Sequence, residues 1–489
     1  MQSYIRSNTR IVSEAKRVFE LCVVGVSLFL AGCMTPQGAA QLGRSEHPKV
    51  VATFGGLYEN PRVTSYVTEV GRTVAARTKT GAAPYQFITL DTPTVNAFAL
   101  PGGYTYVTRG LLALVNDEAE LAGVLGHEVT HITNQHTAER YNRAQAAGIG
   151  ALLVGVATGS QDLMEIAGYG SQLFLLNYSR DQEFESDQGG VKLLDLAGYD
   201  PFAVGDFLGA MGGQTALSAR IAGKGYNPGR VDYFSTHPNT DARVSRAHGL
   251  ARKRGAVRGQ KLRKGDNYFS HVDGMLYGDS PDQGFVRGRR FSHPQMKFEF
   301  QAPDGFTLQN TAVAVVGRGP DGASFQFDAA PDYRPGTLLA NYVSGVWAPK
   351  LKLRAGSIRQ TRVNGIAMAS TTVAVQTRSG SVSVRLVAIA QTPDKVFRFM
   401  IVIPSQAVRA MGPRVDAMVA GYRRLSDAEA AALKPLWLRV VTVKRGDTIA
   451  GLSRRMAFDD YREDRFRALN NLTGTRQLRA GQKVKIVTE

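Results

Sequence analysis

Five residues carry the clearest chemistry in the chain: His127-Glu128-Val129-Thr130-His131. Two histidines four apart on a helix stand one turn above each other on the same face. Both imidazoles can therefore reach one tetrahedral metal ion, with Zn–N near ~2.0–2.1 Å. Glu128, next to the first histidine, can take a proton from water activated at that ion. The chain has only eight His, so a pair at this spacing around a Glu is a specific signal. The plain alternative is a surface helix that carries two histidines. Two imidazoles alone make a poor site, so a third donor must come from elsewhere. Downstream, Ser179-Arg-Asp-Gln-Glu183-Phe-Glu-Ser-Asp187 puts Glu183 and Asp187 at i and i+4, again on one helix face. Glu183 fits the third place of a two-His, one-carboxylate site with a position left open for water. Asp187 is then placed to orient a ligand imidazole through its second ring nitrogen. Glu185 points elsewhere on the helix. Without the first motif, this acidic cluster reads as a solvated face. His136 lies five residues past His131. In the longer H-E-x-x-H-x-x-G-x-x-H pattern the third His lies six past the second, and no Gly stands at the turn position here, so His136 reads as a non-ligand.

The elements that must position these residues follow from periodicity. Glu118 to His136 forms the metal helix, and residues 60–76 show apolar side chains at helical spacing. Residues 85–90 alternate like a strand. Val95 to Thr108 reads as strand, Pro-Gly-Gly turn and strand. The edge at Asn96, Ala97, Phe98 and Ala99 could pair with an extended substrate; an ordinary hairpin explains it equally well. Gly148 to Ala157 is apolar and Gly-rich but too short to span a membrane, and reads as a buried helix.

The 489 residues are 43% hydrophobic and 20% charged, which is globular and long enough for two to four domains. Net charge is +18, with a pI near 9.9. That balance favours anionic surroundings such as lipid phosphates or cell-wall polymers. Nucleic acid is the usual first reading of such a charge, and the start of the chain argues against it. Arg6, Arg10, Lys16 and Arg17 precede the apolar run Leu21–Leu30, and small residues follow, as in an export signal. Residues 1–32 are read as that signal. Leu30-Ala-Gly-Cys33 resembles a bacterial lipobox, which implies a lipidated Cys33. Met34 after it, rather than Asp, resembles outer-membrane sorting. The other cysteine, Cys22, would leave with the signal, so no disulfide is expected. Residues 33–46 read as a flexible tether.

The motifs His127-Glu128-x-x-His131, Ser179-Arg180-x-x-Glu183-x-x-x-Asp187, Asn96-Ala-Phe-Ala-Leu-Pro-Gly-Gly103 and Thr236-His237-Pro238 with Arg243 occur in one chain. Together they resemble the zinc endopeptidase family that includes HtpX, BepA and the CAAX prenyl proteases. The resemblance covers about two-fifths of the chain. It implies one Zn(2+) held by His127, His131 and Glu183, with Glu128 as general base and Asp187 behind a ligand. It also implies that His237 approaches the metal or the substrate and that Arg243 lies in the active site. By chemistry alone, His237 would be a loop residue and Arg243 a surface charge. The peptidase domain is expected over 47–256.

The basic stretch 251–264 holds seven Lys and Arg and no acid, and reads as a solvated linker in preference to a lipid-headgroup patch. Residues 257–290 look like an extension or linker. From 291 to 428, strand candidates at 296–301, 312–316, 367–375, 382–389 and 396–402 precede a helix at 415–422, which predicts an α+β domain with an antiparallel sheet and no catalytic constellation. Residues 436–489 read as strand, helix, helix, strand and resemble the LysM module through Gly446-Asp447-Thr448 and Asn470. That resemblance implies binding of peptidoglycan-type glycans. The chain is thus expected to be multidomain. A mainly α-helical zincin-type peptidase domain with a small β-sheet comes first, then the α+β domain, then a small βααβ LysM-like domain.

The leading expectation is a lipid-anchored, outer-membrane zinc endopeptidase that faces the periplasm. Its substrates would be unfolded or mis-assembled envelope proteins, its other contacts membrane through Cys33 and peptidoglycan through 436–489, with no nucleic acid. A non-proteolytic assembly factor using the same cleft is the second expectation, and a peptidoglycan amidase the third.

Overall fold

The computed structural model describes residues 34–146, 177–222, 237, 241–377, 380–472 and 477–489. The export signal, Cys33, Gly148–Ala157, Thr236 and Pro238 lie outside the described residues.

The first finding corrects the tether. Helix α1 runs over Pro36–Thr53, with the Thr35 side chain accepting from the Gly38 amide and Pro36 at its first turn. A capped start with Pro inside it favours a helix over coil. The helix is held because it docks. Gly43 lies so close to the Pro101 carbonyl and the Tyr104 ring that a Cβ there would overlap both, and Val50 and Phe54 pack with Phe98, Leu100, Tyr104 and Tyr106. Polar composition suggested a tether; the small contact face at Gly43 is what overrides it.

Helix α2 (Pro61–Ala75) is capped by Asn60 and buries Val63, Tyr66, Val67, Val70 and Val74, one apolar stripe at helical spacing. Strands β1 (Gln86–Leu90), β2 (Ala97–Leu100) and β3 (Tyr104–Thr108) form a sheet in the order β1-β3-β2. β2 and β3 are the expected hairpin, in register Ala97↔Val107 to Leu100↔Tyr104. Gly102 and Gly103 take φ of +87° and +95° at its turn, a region that favours glycine. β1 runs parallel to β3, and the order β1-β3-β2 puts β2 at an edge of this sheet. Short helix α3 (Arg109–Leu114) leads to the metal helix α4 (Glu118–Thr133), whose Asp117 cap accepts from the Glu120 amide. Then follow α5 (His136–Ala146), α6 (Arg180–Leu196), α7 (Ala203–Ala222) and α8 (Asp241–Lys253).

The basic run is not a solvated linker. Arg254 and Lys261 pair with Asp195, Arg258 with Asp206, Arg263 with Asp117 and Asp206, and Lys264 with Glu118. These cations fasten 254–264 across α4, α6 and α7. Helix α9 (Gly265–Val272) buries Tyr268, Phe269 and Val272 in the same core, and β4 (Leu276–Tyr277) follows.

Strands β5 (Phe285–Arg287), β6 (Arg290–His293) and β7 (Phe298–Gln301) open the next unit. A seven-stranded antiparallel sheet then forms from β8 (Thr307–Asn310), β9 (Ala314–Arg318), β10 (Ser324–Ala329), β11 (Arg359–Val363), β12 (Ile366–Thr377), β13 (Gly380–Thr392) and β14 (Lys395–Pro404). Its order is β11-β12-β13-β14-β10-β9-β8. Helix α10 (Val408–Ala420) covers one face with Met411, Val415 and Met418. β15 (Arg423–Arg424) pairs back on β7.

The last unit has β16 (Leu436–Thr442), α11 (Ile449–Ser453), α12 (Arg462–Leu469) and β17 (Lys483–Thr488), with β16 and β17 antiparallel. β4 extends this sheet through Leu436↔Tyr277 and Trp437↔Leu276. Leu438, Leu452, Phe466, Val484 and Ile486 share one hydrophobic cluster with Val63, Leu121 and Tyr268. The Lys485 amine, fully buried, donates to the carbonyls of Ala113, Leu114 and Val115 at 2.7, 3.0 and 2.6 Å. The unit is therefore welded to the helical domain. Among the described residues, no helix is long and apolar enough to cross a membrane.

Candidate metal centre

Helices α4 and α6 meet at glycines. A Cβ on Gly190 would stand 3.3 Å from the His127 amide nitrogen, and one on Gly126 would stand 3.4 Å from Gly190 Cα. This close approach sets the histidine face of α4 against the carboxylate face of α6. The Ser179 side chain and Gln182 form a capping box at the start of α6, which fixes the turn that carries Glu183.

His127, His131, Glu183 and His237 each offer one donor atom, all within 4.8 Å of one another and all buried. His127 Nε2 is 3.0 Å from His131 Nε2 and 3.3 Å from His237 Nδ1. Glu183 Oε1 is 2.8 Å from His237 Nδ1 and 3.6 Å from His131 Nε2. Donors held about 2.0–2.1 Å from one zinc ion stand about 3.3 Å apart along the edges of a tetrahedron. The chemistry of the set points the same way. Three imidazole nitrogens and a carboxylate converge where burial, above all, lowers the pKa of His127, and of His131 and His237 well below the usual value. Imidazole nitrogens kept from protonation and gathered round one point fit a cation between them. This buried cluster is compatible with zinc.

Glu128 is completely buried, and neither of its carboxylate oxygens accepts a hydrogen bond. Its Oε1 lies 3.4 Å from His237 Nε2. Burial, then the Glu183 charge, push its carboxyl well above the usual range. Burial likewise raises Glu183 to about 7, against the pull of Arg243. Asp187 goes the other way. Burial works to raise it, but the hydrogen bonds and charge of Arg243, with His127, hold it at about 2. Asp187 Oδ1 lies 3.1 Å from His127 Nδ1, so the outer nitrogen of that imidazole faces a carboxylate. Arg243 is not a surface charge: it is 1% exposed. It donates to Asp187 at 2.8 and 2.7 Å, and its Nη1 lies 2.7 Å from Glu183 Oε2.

His237 reaches the cluster from a different part of the chain, with the Ala97 backbone beside its ring. Asn96, Ala97, Phe98 and Ala99 are all fully buried. Arg140 Nη2 donates to the Ala99 carbonyl at 3.2 Å, so this stretch of the β2 edge is covered. Glu185 is off the metal face, as its position on α6 predicts. Periodicity missed two residues. Tyr178 stacks on the His131 ring with centroids 3.7 Å apart, and Arg140 sits 4.2 Å over the Tyr178 ring. Nothing in their spacing signals this.

The profile of peptidase family M48 matches residues 61–251, and that of the LysM domain matches residues 441–487. The chain carries a family M48 peptidase domain and a LysM domain. The chain is 27% identical over 204 residues to the beta-barrel assembly-enhancing protease of Yersinia pestis, covering 40% of each chain. It is 30% identical over 212 residues to the mitochondrial metalloendopeptidase OMA1 of Schizosaccharomyces pombe, covering 42% of this chain and 58% of that one. It is 37% identical over 160 residues to the OMA1 of Arabidopsis thaliana, covering 32% and 29%. The matched region thus spans about two-fifths of the Yersinia relative's length. The M48 domain contains both glycine contacts that bring α4 and α6 together.

Proposed function

We propose that this protein is a zinc-dependent endopeptidase of the bacterial envelope, anchored to the outer membrane through lipid on Cys33 and facing the periplasm. Its substrates would be unfolded or mis-assembled envelope proteins. The observation that carries the reading is the convergence of His127, His131, Glu183 and His237 beside the Glu128 carboxyl, whose oxygens accept no hydrogen bond.

In this reading His127, His131 and Glu183 hold the ion. When bound, zinc supplies Lewis-acid chemistry, polarising a carbonyl and acidifying water toward a pKa of about 7. Glu128 accepts the proton of the attacking water and delivers it to the leaving amine. Asp187 keeps the His127 ring in place, and Arg243 keeps Asp187 ionised and holds both Asp187 and Glu183 in position. The guanidinium is committed to these carboxylates, so oxyanion stabilisation falls to His237, next to Glu128. Asn96 to Ala99 are proposed to receive the substrate backbone as an added strand, once the Arg140 contact at Ala99 yields. The LysM domain suggests association with peptidoglycan. Domain limits of 47–256 for the peptidase, 291–428 for the α+β unit and 436–489 for the LysM-like unit remain part of this proposal.

One observation favours a second reading. Four protein donors complete a tetrahedron, the number that structural zinc sites use, as a non-proteolytic assembly factor would. Metal content and casein cleavage of the full chain and of Glu128→Gln separate the two. One zinc in both proteins, with cleavage lower by roughly 10²–10⁴ in the variant, supports the endopeptidase. Zinc in both and equal cleavage would remove Glu128 as the base. Zinc without cleavage in either leaves the assembly factor.

A further inference from the structure

We propose that His136, itself held by Glu185, is a positioning residue that fixes the His131 ring with Nε2 toward the donor cluster. The inference rests on the metal reading above. The two nitrogens of His131 face different ways. Nε2 looks at His127 Nε2 and Glu183, whereas Nδ1 lies 3.1 Å from His136 Nδ1. Both rings are buried, at 0% and 3% exposure. Two imidazole nitrogens at this distance bond only if one carries a hydrogen and the other a lone pair. On the far side, His136 Nε2 lies 3.2 Å from Glu185 Oε2.

Glu185 sets the sense of the chain. A carboxylate accepts, so a neutral His136 carries its hydrogen on Nε2 and leaves a lone pair on Nδ1. His131 must then donate from Nδ1, which leaves the Nε2 lone pair free for the cluster. The reverse sense would face the carboxylate with a lone pair and put a hydrogen on His131 Nε2 among the other donors. The Ser186 hydroxyl, 3.4 Å from His136 Nδ1, is the remaining polar neighbour of that nitrogen. Tyr178, stacked on His131 at 18° between ring planes, keeps the ring from tilting.

The backbone is built for this contact. On an unbroken helix, five residues advance about 500°, leaving His136 about 140° away from His131. Gln135 takes φ +62°, a left-handed conformation that a non-glycine residue seldom adopts. With Asn134, this residue separates α4 from α5 and brings His136 back under His131. The two ligand imidazoles are therefore supported unlike each other: His127 by the buried Asp187, His131 by a second imidazole backed by Glu185, whose side chain is 58% exposed.

The test measures zinc dissociation by chelator competition, and the visible spectrum of the Co²⁺ form, on the full chain and three variants. His136→Leu removes the acceptor and is expected to weaken zinc binding about 10–100-fold and shift the Co²⁺ bands. His136→Asn puts a carbonyl oxygen near the place of Nδ1 and is expected to stay within about threefold of the parent. Glu185→Leu, at a half-exposed position, is expected to weaken binding about 3–10-fold. Zinc binding by His136→Leu as tight as the parent's, or a loss in His136→Asn as large as that in His136→Leu, overturns the relay alone. So does an unchanged Glu185→Leu. A parent chain that binds no zinc overturns the metal reading and the relay with it.

Discussion

Arg243 grips Asp187 through both carboxylate oxygens, at 2.8 and 2.7 Å, while Asp187 stands 3.1 Å from Nδ1 of His127. A buried cation thus reaches a metal-facing imidazole through one carboxylate. Removing it strands two buried carboxylates, Asp187 and Glu183. Arg243→Leu is expected to cost about 3–5 kcal/mol in denaturant unfolding and to lower zinc content. Arg243→Lys should rescue neither, because an ammonium cannot reproduce the two-pronged contact. Recovery by Lys would show that charge alone matters.

His237 differs from the other donors in lying outside the two helices that meet at Gly126 and Gly190. Three donors suffice to hold zinc in a site with an open position. His237→Ala should therefore keep its zinc through gel filtration, whereas His127→Ala should lose it. Equal loss from both would make His237 an obligatory ligand.

A Cβ on Gly189 would overlap the Thr130 side chain, so a larger residue must push α6 away from α4. Gly189→Leu is expected to destabilise by about 1–3 kcal/mol and to weaken zinc binding, although it touches no donor. A variant as stable as the parent and with unchanged zinc affinity would mean that α6 position is set elsewhere.

Lys485 offers three N–H groups to three carbonyls at the end of α3. Lys485→Met leaves those carbonyls buried without their donor. The cost is expected to be about 3 kcal/mol, and thermal unfolding of the full chain should show the M48 and LysM regions melting together. Two separate transitions in the parent would contradict the fused core.

Glu120 is one source of pH dependence. Burial, then Asp117, raise its carboxyl to about 8, above the ordinary value of 4.5. The folded state then holds a proton that the unfolded state releases, so this contribution is complete below pH 4.5 and lost as pH rises through 8. Lys485, pulled down to about 7 by burial, adds its opposite slope only above that pH. Stability from denaturant titration should fall between pH 5 and 7 from this group, and Glu120→Gln should flatten that decline. An identical slope in the variant would assign the effect to another carboxylate.

Much of the site was legible because helix periodicity is local. His127 with His131, and Glu183 with Asp187, declare a shared face by spacing alone, and the hairpin at 95–108 declares itself through Pro101-Gly-Gly. The long strands of 366–377, 380–392 and 395–404 were legible from their β-branched runs. Helix α1 was not, because its stability comes from docking Gly43 and Val50 onto the hairpin. Nor was the fastening role of Arg254, Arg258, Lys261 and Arg263, since their partners lie 52–146 positions away.

The sequence by itself determined the donor types, their i and i+4 spacing, the Glu128 carboxyl beside them and the order of the units. Tertiary structure decided which nitrogen of each histidine faces inward, through which contacts His237 and Arg243 reach the cluster, that His136 stands behind His131, and that the LysM region shares the core of the M48 domain. Spacing fixes which side of a helix a residue occupies. What that side meets depends on how closely two helices approach, here set by Gly126 and Gly190, and on packing contributed by the whole chain.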